Sequence, residues 1–580
     1  MKRFFYVLTG LAALLLLSGC SGRRGTVEIC LVATSDIHGR YYSTDALDRT
    51  VRRGSLSRFS TFLKRQRGEN RNLIYIDAGD MLAGSVEAYH DMTAEFYEPS
   101  LAATIYDRLG CDAAVLGNHE LGLGGEVYMR FLDRCPFPVL GANLMIDSPG
   151  DFLPPYRIIE RHGVRVAVVG FTTPSVNYTV PADILGTVVA SDIVGSARYW
   201  MPVIRNREKP DIVIGLLHSG FDGNRFAAQG VEENAARRLA TEVPGFDLIV
   251  FGHDHKPYKG TVDSPDGTPV LLLNPGAFAE NAAVARMAVS FRRGTLTGCT
   301  VEGFLADITG EEPDEEFDRE LKPRYDKVCH YADSVIGDLG QVIDSRGALW
   351  RTTTGMDLIH YHQMRFQTAE ISLASPVTAG AMAGTGPFTI RDAFRIYPFE
   401  NKLVSVMIKG SEVKDILEYS ASCFYNTVGD GAGTLLKTGD VNAALNPKAG
   451  SGLNRFISAC GIDYTIDVTR KEGDRVRVVS MSDGRPFDKD RYYRTTLNTF
   501  LAYGAESPLF DVPGITRDYI RRRTVVASGA DMRYFIISDF YIKRESGRAV
   551  TVPDYGNWSL IPEKTVRGML SSDTLNIILR

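Results

Sequence analysis

Five apolar runs in this chain each lead into a residue of the kind that binds metal. Val27 to Thr34 runs into Asp36-Ile37-His38-Gly39. Ile74-Tyr75-Ile76 runs into Asp77-Ala78-Gly79-Asp80, and Ala113 to Leu116 into Gly117-Asn118-His119-Glu120. Ile212 to Leu217 stops at His218, and Leu248 to Phe251 leads to Gly252-His253-Asp254-His255. Short apolar runs bounded by turn residues read as buried strands. In open α/β sheets, ligands gather outside the carboxyl ends of the strands. The ordered set therefore predicts one shared site, although each piece alone is only a loop motif. Its donors mix oxygen and nitrogen without sulfur, which suits Zn, Mn, Fe or Co better than Ca or a sulfur cluster.

The set resembles the calcineurin-like metallophosphoesterases. More narrowly it is similar to the secreted 5′-nucleotidases and their periplasmic 2′,3′-cyclic-nucleotide phosphodiesterase branch, over residues 27 to 295. The resemblance implies two divalent metal ions. Asp36, His38, Asp80 and His255 would hold one, and Asp80, Asn118, His218 and His253 the other, with Asp80 bridging. His119 matches the catalytic histidine of the family and is not a ligand. Two such ions roughly 3.5–4 Å apart clamp an in-line displacement at phosphorus, and a bound water has its pKa lowered from about 15.7 to about 7, so hydroxide is at hand. Asp80 suits the bridge because one carboxylate has two oxygens to share. Asn118 adds a neutral oxygen, which limits negative charge around an anionic substrate. His119 would stabilise the transferred phosphoryl group or protonate the leaving oxygen. The family often has an Asp three residues after this histidine; here Gly122 stands there, and a supporting dyad is missing or supplied elsewhere.

Strand–helix alternation continues through Val164 to Gly170, Ile193 to Arg205, Asp211 to Leu217 and Glu232 to Glu242, as in an α/β sandwich. Gly54 to Arg58 opens a helix, and Asn143 reads as a structural hydrogen-bonder. Asn274 to Phe278 is either a wall of the metal site, as in the family, or a plain hairpin turn. The acidic run from Glu311 to Glu316 begins a linker at 306–332.

The N-terminus has the charged start and short apolar run, Phe4 to Leu17, of a signal peptide. Leu17-Ser18-Gly19-Cys20 resembles a bacterial lipobox, which implies a leader at 1–20 and a lipid on Cys20. The expected location is the cell envelope, on a membrane facing the periplasm or the cell surface. A net charge of −5 argues against a nucleic-acid polymer as partner, and no obligate protein partner is evident. Eight cysteines, with no paired CxxC spacing, argue against a sulfur metal site; Cys111 and Cys135 could pair.

The second half resembles the 5′-nucleotidase C-terminal domain. Its marks are Asp357 to His360, Ala369 to Pro376, Tyr397 to Asn401, Gly461 to Asp467 and Thr496 to Phe500. Phe456 and Phe500 match the aromatic pair that sandwiches a nucleobase there, and stacking on such rings is worth about 1–3 kcal/mol per base. Glu506 stands where the family has an Asp on the ribose hydroxyls. The simple 5′-nucleotidases carry a Gly-Gly-Ile-Arg segment whose Arg holds a terminal phosphate; the stretch here is Leu373-Ala374-Ser375-Pro376. An Arg fork is the natural partner of a phosphate dianion. Its absence favours a cyclic diester, unless Arg391 or Arg395 substitutes.

The expected fold is thus α/β: a four-layer α/β/β/α metallophosphoesterase domain at 26–305, a linker helix, and an α/β substrate domain at 333–560. The expected function is 2′,3′-cyclic-nucleotide 2′-phosphodiesterase/3′-nucleotidase activity. The alternatives are a 5′-nucleotidase or UDP-sugar hydrolase, then thiosulfate-ester hydrolysis or a non-catalytic nucleotide-binding lipoprotein.

Overall fold

The computed structural model describes residues 25–93, 100–223, 226, 229–378, 380–429, 434–437 and 452–577. Cys20 and the leader lie outside them. The chain divides into two compact units: residues up to Val176 with Thr187–Tyr325, and Asn177–Gly186 with Asp326 onward.

The first unit is built on two sheets. One orders its strands as Thr295–Asp307, Asn281–Arg292, Gly25–Thr34, Leu73–Asp77 and Ala113–Ala114. The other runs Tyr258–Asp263, Pro269–Asn274, Leu248–Phe251, Ile212–His218, Val164–Thr172 and Tyr156–Arg161. Alternation decides what lies between them. Ile29, Leu31, Ala33, Ile74 and Ile76 of the first sheet meet Val166, Val168, Ile214, Leu216 and Val250 of the second in one buried core. The residues between, such as Ala167, Val169, Val213 and Ile249, face the helices Ile193–Arg207 and Ala236–Glu242 on the far side. On the opposite outer face, Phe59 of the helix Leu56–Glu69 packs on Tyr75, with ring centroids 5.0 Å apart. The layers are α/β/β/α, as expected.

Gly25–Thr34, Leu73–Asp77 and Ala113–Ala114 are parallel neighbours. So are Val164–Thr172, Ile212–His218 and Leu248–Phe251. The carboxyl ends of these six strands open on one edge of the sandwich, and the proposed ligands stand at or just after five of them.

The second unit holds a five-stranded sheet in the order Ser458–Cys460, Ile371–Ala374, Tyr492–Asn498, Lys402–Lys409, Thr524–Asp531, and a smaller sheet of Val476–Met481, Ile462–Asp467 and Trp558–Ile561. The helix Glu315–Asp333 stands where the linker was expected, but the division between units falls within it rather than at an end. Its first turns belong to the first unit because Phe317 and Leu321 are buried there, while Asp314 accepts from Ser60 and Lys64. Cys111 and Cys135 carry free thiols, as do the other described cysteines. Burial pushes both thiols upward, away from the reactive thiolate. Among the described residues no helix is long and apolar enough to cross a membrane.

Candidate metal centre

Tight turns after the strands set the ligands in place, and the backbone there is strained. Asp36, His38, Asp80, His253 and His255 all have φ between +50° and +79°, the left-handed region that branched and bulky residues avoid. Each such residue costs of order 1–3 kcal/mol and persists only where its surroundings over-determine it. Five of the thirteen described non-glycine residues in that region are thus proposed ligands. Close approach also requires glycine: a Cβ on Gly117 would lie 2.0 Å from Asp80 Oδ1.

The donor atoms converge. Asp36, His38, Asp80 and His255 place one ligand atom each within 4.8 Å of one another. His38 Nε2 lies 3.0 Å from His255 Nε2 and 3.8 Å from Asp80 Oδ2, and His255 Nε2 lies 3.3 Å from Asp36 Oδ1. Beside this group, His218 Nε2 is 3.2 Å from Asp80 Oδ2 and 3.0 Å from Asn118 Oδ1. The His253 ring sits 5.1 Å from that of His218, and its Nε2 faces Glu233 Oε1 at 3.2 Å. Asp80 is common to both groups.

The histidines are oriented from behind. His38 Nδ1 donates to the Ala83 carbonyl at 3.2 Å and His218 Nδ1 to the Ala78 carbonyl at 2.8 Å. A carbonyl only accepts, so both protons sit on Nδ1 and each Nε2 is turned to the centre. Burial pushes Asp80 upward, but His218 and His119 outweigh it and hold the carboxylate well below its usual range. Burial likewise opposes a charged His218, yet Asp80 lifts it to about 10, so with no ion bound this ring is the counter-charge of Asp80. Burial holds His38 down to about 4, a neutral imidazole at working pH with its Nε2 lone pair turned inward. A divalent cation would take the place of the His218 Nε2 proton beside Asp80, and the mixed carboxylate and imidazole donors fit such an ion.

His119 is different in kind. Its side chain is 48% exposed, its backbone N–H donates to Asp80 Oδ1 at 3.0 Å, and its Nε2 stands 4.0 Å from Asp80 Oδ2. Its ring rests edge-on against His38 at 5.0 Å. That places it at the mouth of the site, beside the converged donor atoms. Phe278, in the turn after Pro269–Asn274, lies 5.8 Å from the His38 ring and 5.7 Å from His255, so this turn borders the centre.

Family models match both halves: calcineurin-like phosphoesterase over residues 31–257, and 5′-nucleotidase, C-terminal domain, over residues 334–512. The chain is a calcineurin-like phosphoesterase with a 5′-nucleotidase C-terminal domain. It is similar to a trifunctional nucleotide phosphoesterase of Bacillus subtilis (25% identical, 92% of this chain) and spans only 39% of that protein's length. It is 24% identical to a 2′,3′-cyclic-nucleotide 2′-phosphodiesterase/3′-nucleotidase of Haemophilus influenzae, over 93% of this chain and 88% of that one. A solved Staphylococcus aureus protein shares the fold, with a TM-score of 0.69 at 19% identity over 92% of this chain and 100% of that one. This calcineurin-like phosphoesterase is a phosphoester hydrolase of a family that works with a divalent metal pair.

Two carboxylates of this phosphoesterase have roles that the sequence reading missed. Glu120 accepts from the backbone N–H groups of Gly117, Asp80, Met81 and Leu82 at 2.7–2.9 Å, which locks the Asp80 turn to the Asn118 turn. Its position three residues into a helix start is the signal that could have found it. Glu233 gave no signal, because it meets His253 only in three dimensions.

In the second unit one expectation is corrected. Phe456 is 2% exposed, its ring edge-on to Phe424 at 5.6 Å and tilted against Trp558 at 5.9 Å. It is a core residue, packed by hydrophobic neighbours on strands and a helix, and its face is not open to a base. Phe500 is half-buried against the same core, and Glu506 is exposed. Phe456→Ala should therefore destabilise the protein by about 3–5 kcal/mol in denaturant unfolding. A stacking role would instead raise KM and leave stability nearly unchanged. Arg391 pairs with Asp333 rather than standing available to a phosphate, and Arg395 is exposed. Asn143 is structural as read: it donates to Thr172 and Ser191 carbonyls at 2.7 and 2.9 Å.

Proposed function

We propose that the protein hydrolyses 2′,3′-cyclic nucleotides to 3′-nucleotides, with 3′-nucleotidase activity at the same centre. The observation that carries the choice of substrate is the strand Ile371–Ala374. It leads into Ser375-Pro376 with no arginine fork, and the neighbouring candidate Arg391 is engaged by Asp333. A terminal phosphate dianion is held best by such a fork, whereas a cyclic diester carries one charge; the cyclic diester is therefore the preferred substrate and the 3′-nucleotide the slower one. The likeness to the Haemophilus enzyme at 24% identity supports the same choice.

Asp36, His38, Asp80 and His255 would hold one ion, and Asp80, Asn118, His218 and His253 the second. When bound, the pair supplies Lewis acidity at phosphorus and a water acidified to near neutrality. Asp80 fixes the relation of the two positions. His119, at the mouth, donates a proton from Nε2 to the departing 2′-oxygen as the P–O2′ bond breaks. Phe500 and Glu506 are the proposed contacts for base and ribose. The proposal includes a lipid on Cys20 and a place on the cell envelope, supported by the sequence pattern of the first twenty residues alone.

The test is a substrate panel on Mn-reconstituted protein: cyclic 2′,3′-AMP, 3′-AMP, 5′-AMP and UDP-glucose. The cyclic diester should exceed 5′-AMP in kcat/KM by roughly tenfold or more. Release from 5′-AMP with none from the cyclic diester would make this a 5′-nucleotidase.

A further inference from the structure

We infer that Glu233 is a positioning residue for the second ion: its carboxylate accepts a hydrogen bond from the Nε2–H of His253 and so leaves Nδ1 as that histidine's metal donor. The argument begins with the ring nitrogens. His38 and His218 spend Nδ1 on carbonyls and turn Nε2 inward. His253 is the reverse, with Nε2 3.2 Å from Glu233 Oε1. An ionised carboxylate only accepts, so the shared proton sits on Nε2 and the Nδ1 lone pair is the one that remains.

Glu233 is itself held firmly. It is 3% exposed. Its backbone carbonyl accepts from Thr173 Oγ1 at 2.9 Å and Ser219 Oγ at 2.7 Å, and Ser219 Oγ also accepts from the Ala235 N–H. Asn234 Oδ1 accepts from the Gly220 N–H at 3.0 Å. These bonds fasten the Glu233 loop to the strand end that carries His218. One buried loop thus orders His218 and His253, two proposed ligands of the same ion. The backbone N–H of His253 is tied separately, to the Asp36 carboxylate. Glu233 therefore governs how the ring is turned, not where the chain runs. A carboxylate behind a ligating histidine fixes the tautomer and raises its basicity, and losing such a partner typically costs about 10–100-fold in metal affinity.

The inference rests on the metal pair and not on which nucleotide is cleaved, so a wrong substrate leaves it standing. Metal-stripped protein is titrated with Co²⁺, following heat and visible absorption. Wild type should take up two ions. Glu233→Ala should weaken one of them by about 10–100-fold and leave the other unchanged. Glu233→Gln, which keeps an acceptor oxygen without the charge, should fall between, and it decides the matter if the alanine variant does not fold. In a His253→Ala background, Glu233→Ala should add nothing, since both act on one donor. Unchanged affinity in the glutamine and alanine variants, an equal loss of both ions, or additive losses in the double variant would each overturn the assignment.

Discussion

Asp80→Ala is expected to abolish turnover, with kcat lowered by at least about 10³-fold, and to leave the purified protein short of metal at both positions. The reason is its place in the geometry. Asp80 is 1% exposed and lies between the two ligand groups, with Oδ2 3.2 Å from His218 Nε2 and 3.8 Å from His38 Nε2. Its Oδ1 accepts the backbone N–H of His119. Among the described residues it is thus the carboxylate that faces both halves of the centre and the mouth. Removing it leaves His38 and His218 turned inward with no anion between them. Asp80→Asn separates charge from shape: the amide keeps the volume but cannot bridge two cations as a carboxylate does. It should retain the fold by circular dichroism and lose metal on elemental analysis. A fully loaded, active Asp80→Ala protein would show that the ions bind elsewhere.

How far the centre could be read from sequence follows from the kind of signal each residue leaves. Asp36, Asp80, Asn118, His218 and His253 come one or a few residues after an apolar run, and strand order then does the rest. Parallel pairing brings the carboxyl ends together without any long-range information beyond the alternation of buried residues. Glu120 left a weaker local mark, its spacing from a helix start. Glu233 left none. Its neighbourhood reads as a helix from Glu232, but the helix begins at Ala236, because Glu233 and Asn234 spend their side chains on His253 and Gly220. Side-chain bonds to another segment overrode local propensity there. Phe456 shows the opposite failure. A motif match placed it beside a substrate, yet aromatic residues in a small-domain core leave the same sequence mark as aromatic residues in a pocket. Only the packing on Phe424 and Trp558 distinguishes them.

The positive φ angles were also beyond reach of the sequence, and they bear on stability. Five proposed ligand residues hold left-handed backbone against a cost of order 1–3 kcal/mol each, while like-charged carboxylates Asp36 and Asp80 share one buried site. Cations relieve that repulsion. The same cluster that makes the centre costly to fold makes it selective for what occupies it.

His119→Ala should separate chemistry from metal binding. The side chain is half-exposed and its Nε2 is 4.0 Å from Asp80 Oδ2, beyond hydrogen-bond reach, so metal content should stay at the wild-type level. kcat on the cyclic diester should fall by about 10²–10⁴-fold, the usual worth of a positioned proton donor. KM should move little, because an interaction made only as the bond breaks lowers kcat and kcat/KM together. The identity of the leaving group gives the sharper reading. An ester of p-nitrophenol needs no protonation to depart, so on bis-p-nitrophenyl phosphate the deficit should shrink to a small part of that on the nucleotide. If the deficit is equal on both substrates, His119 acts on the charge of the transferred phosphoryl group and not on the leaving oxygen. With glycine three residues on, in place of the family's aspartate, no side chain at that position orients the imidazole. A protein whose His119→Ala variant turned over the cyclic diester at the wild-type rate would need its proton donor sought among the other groups at the mouth.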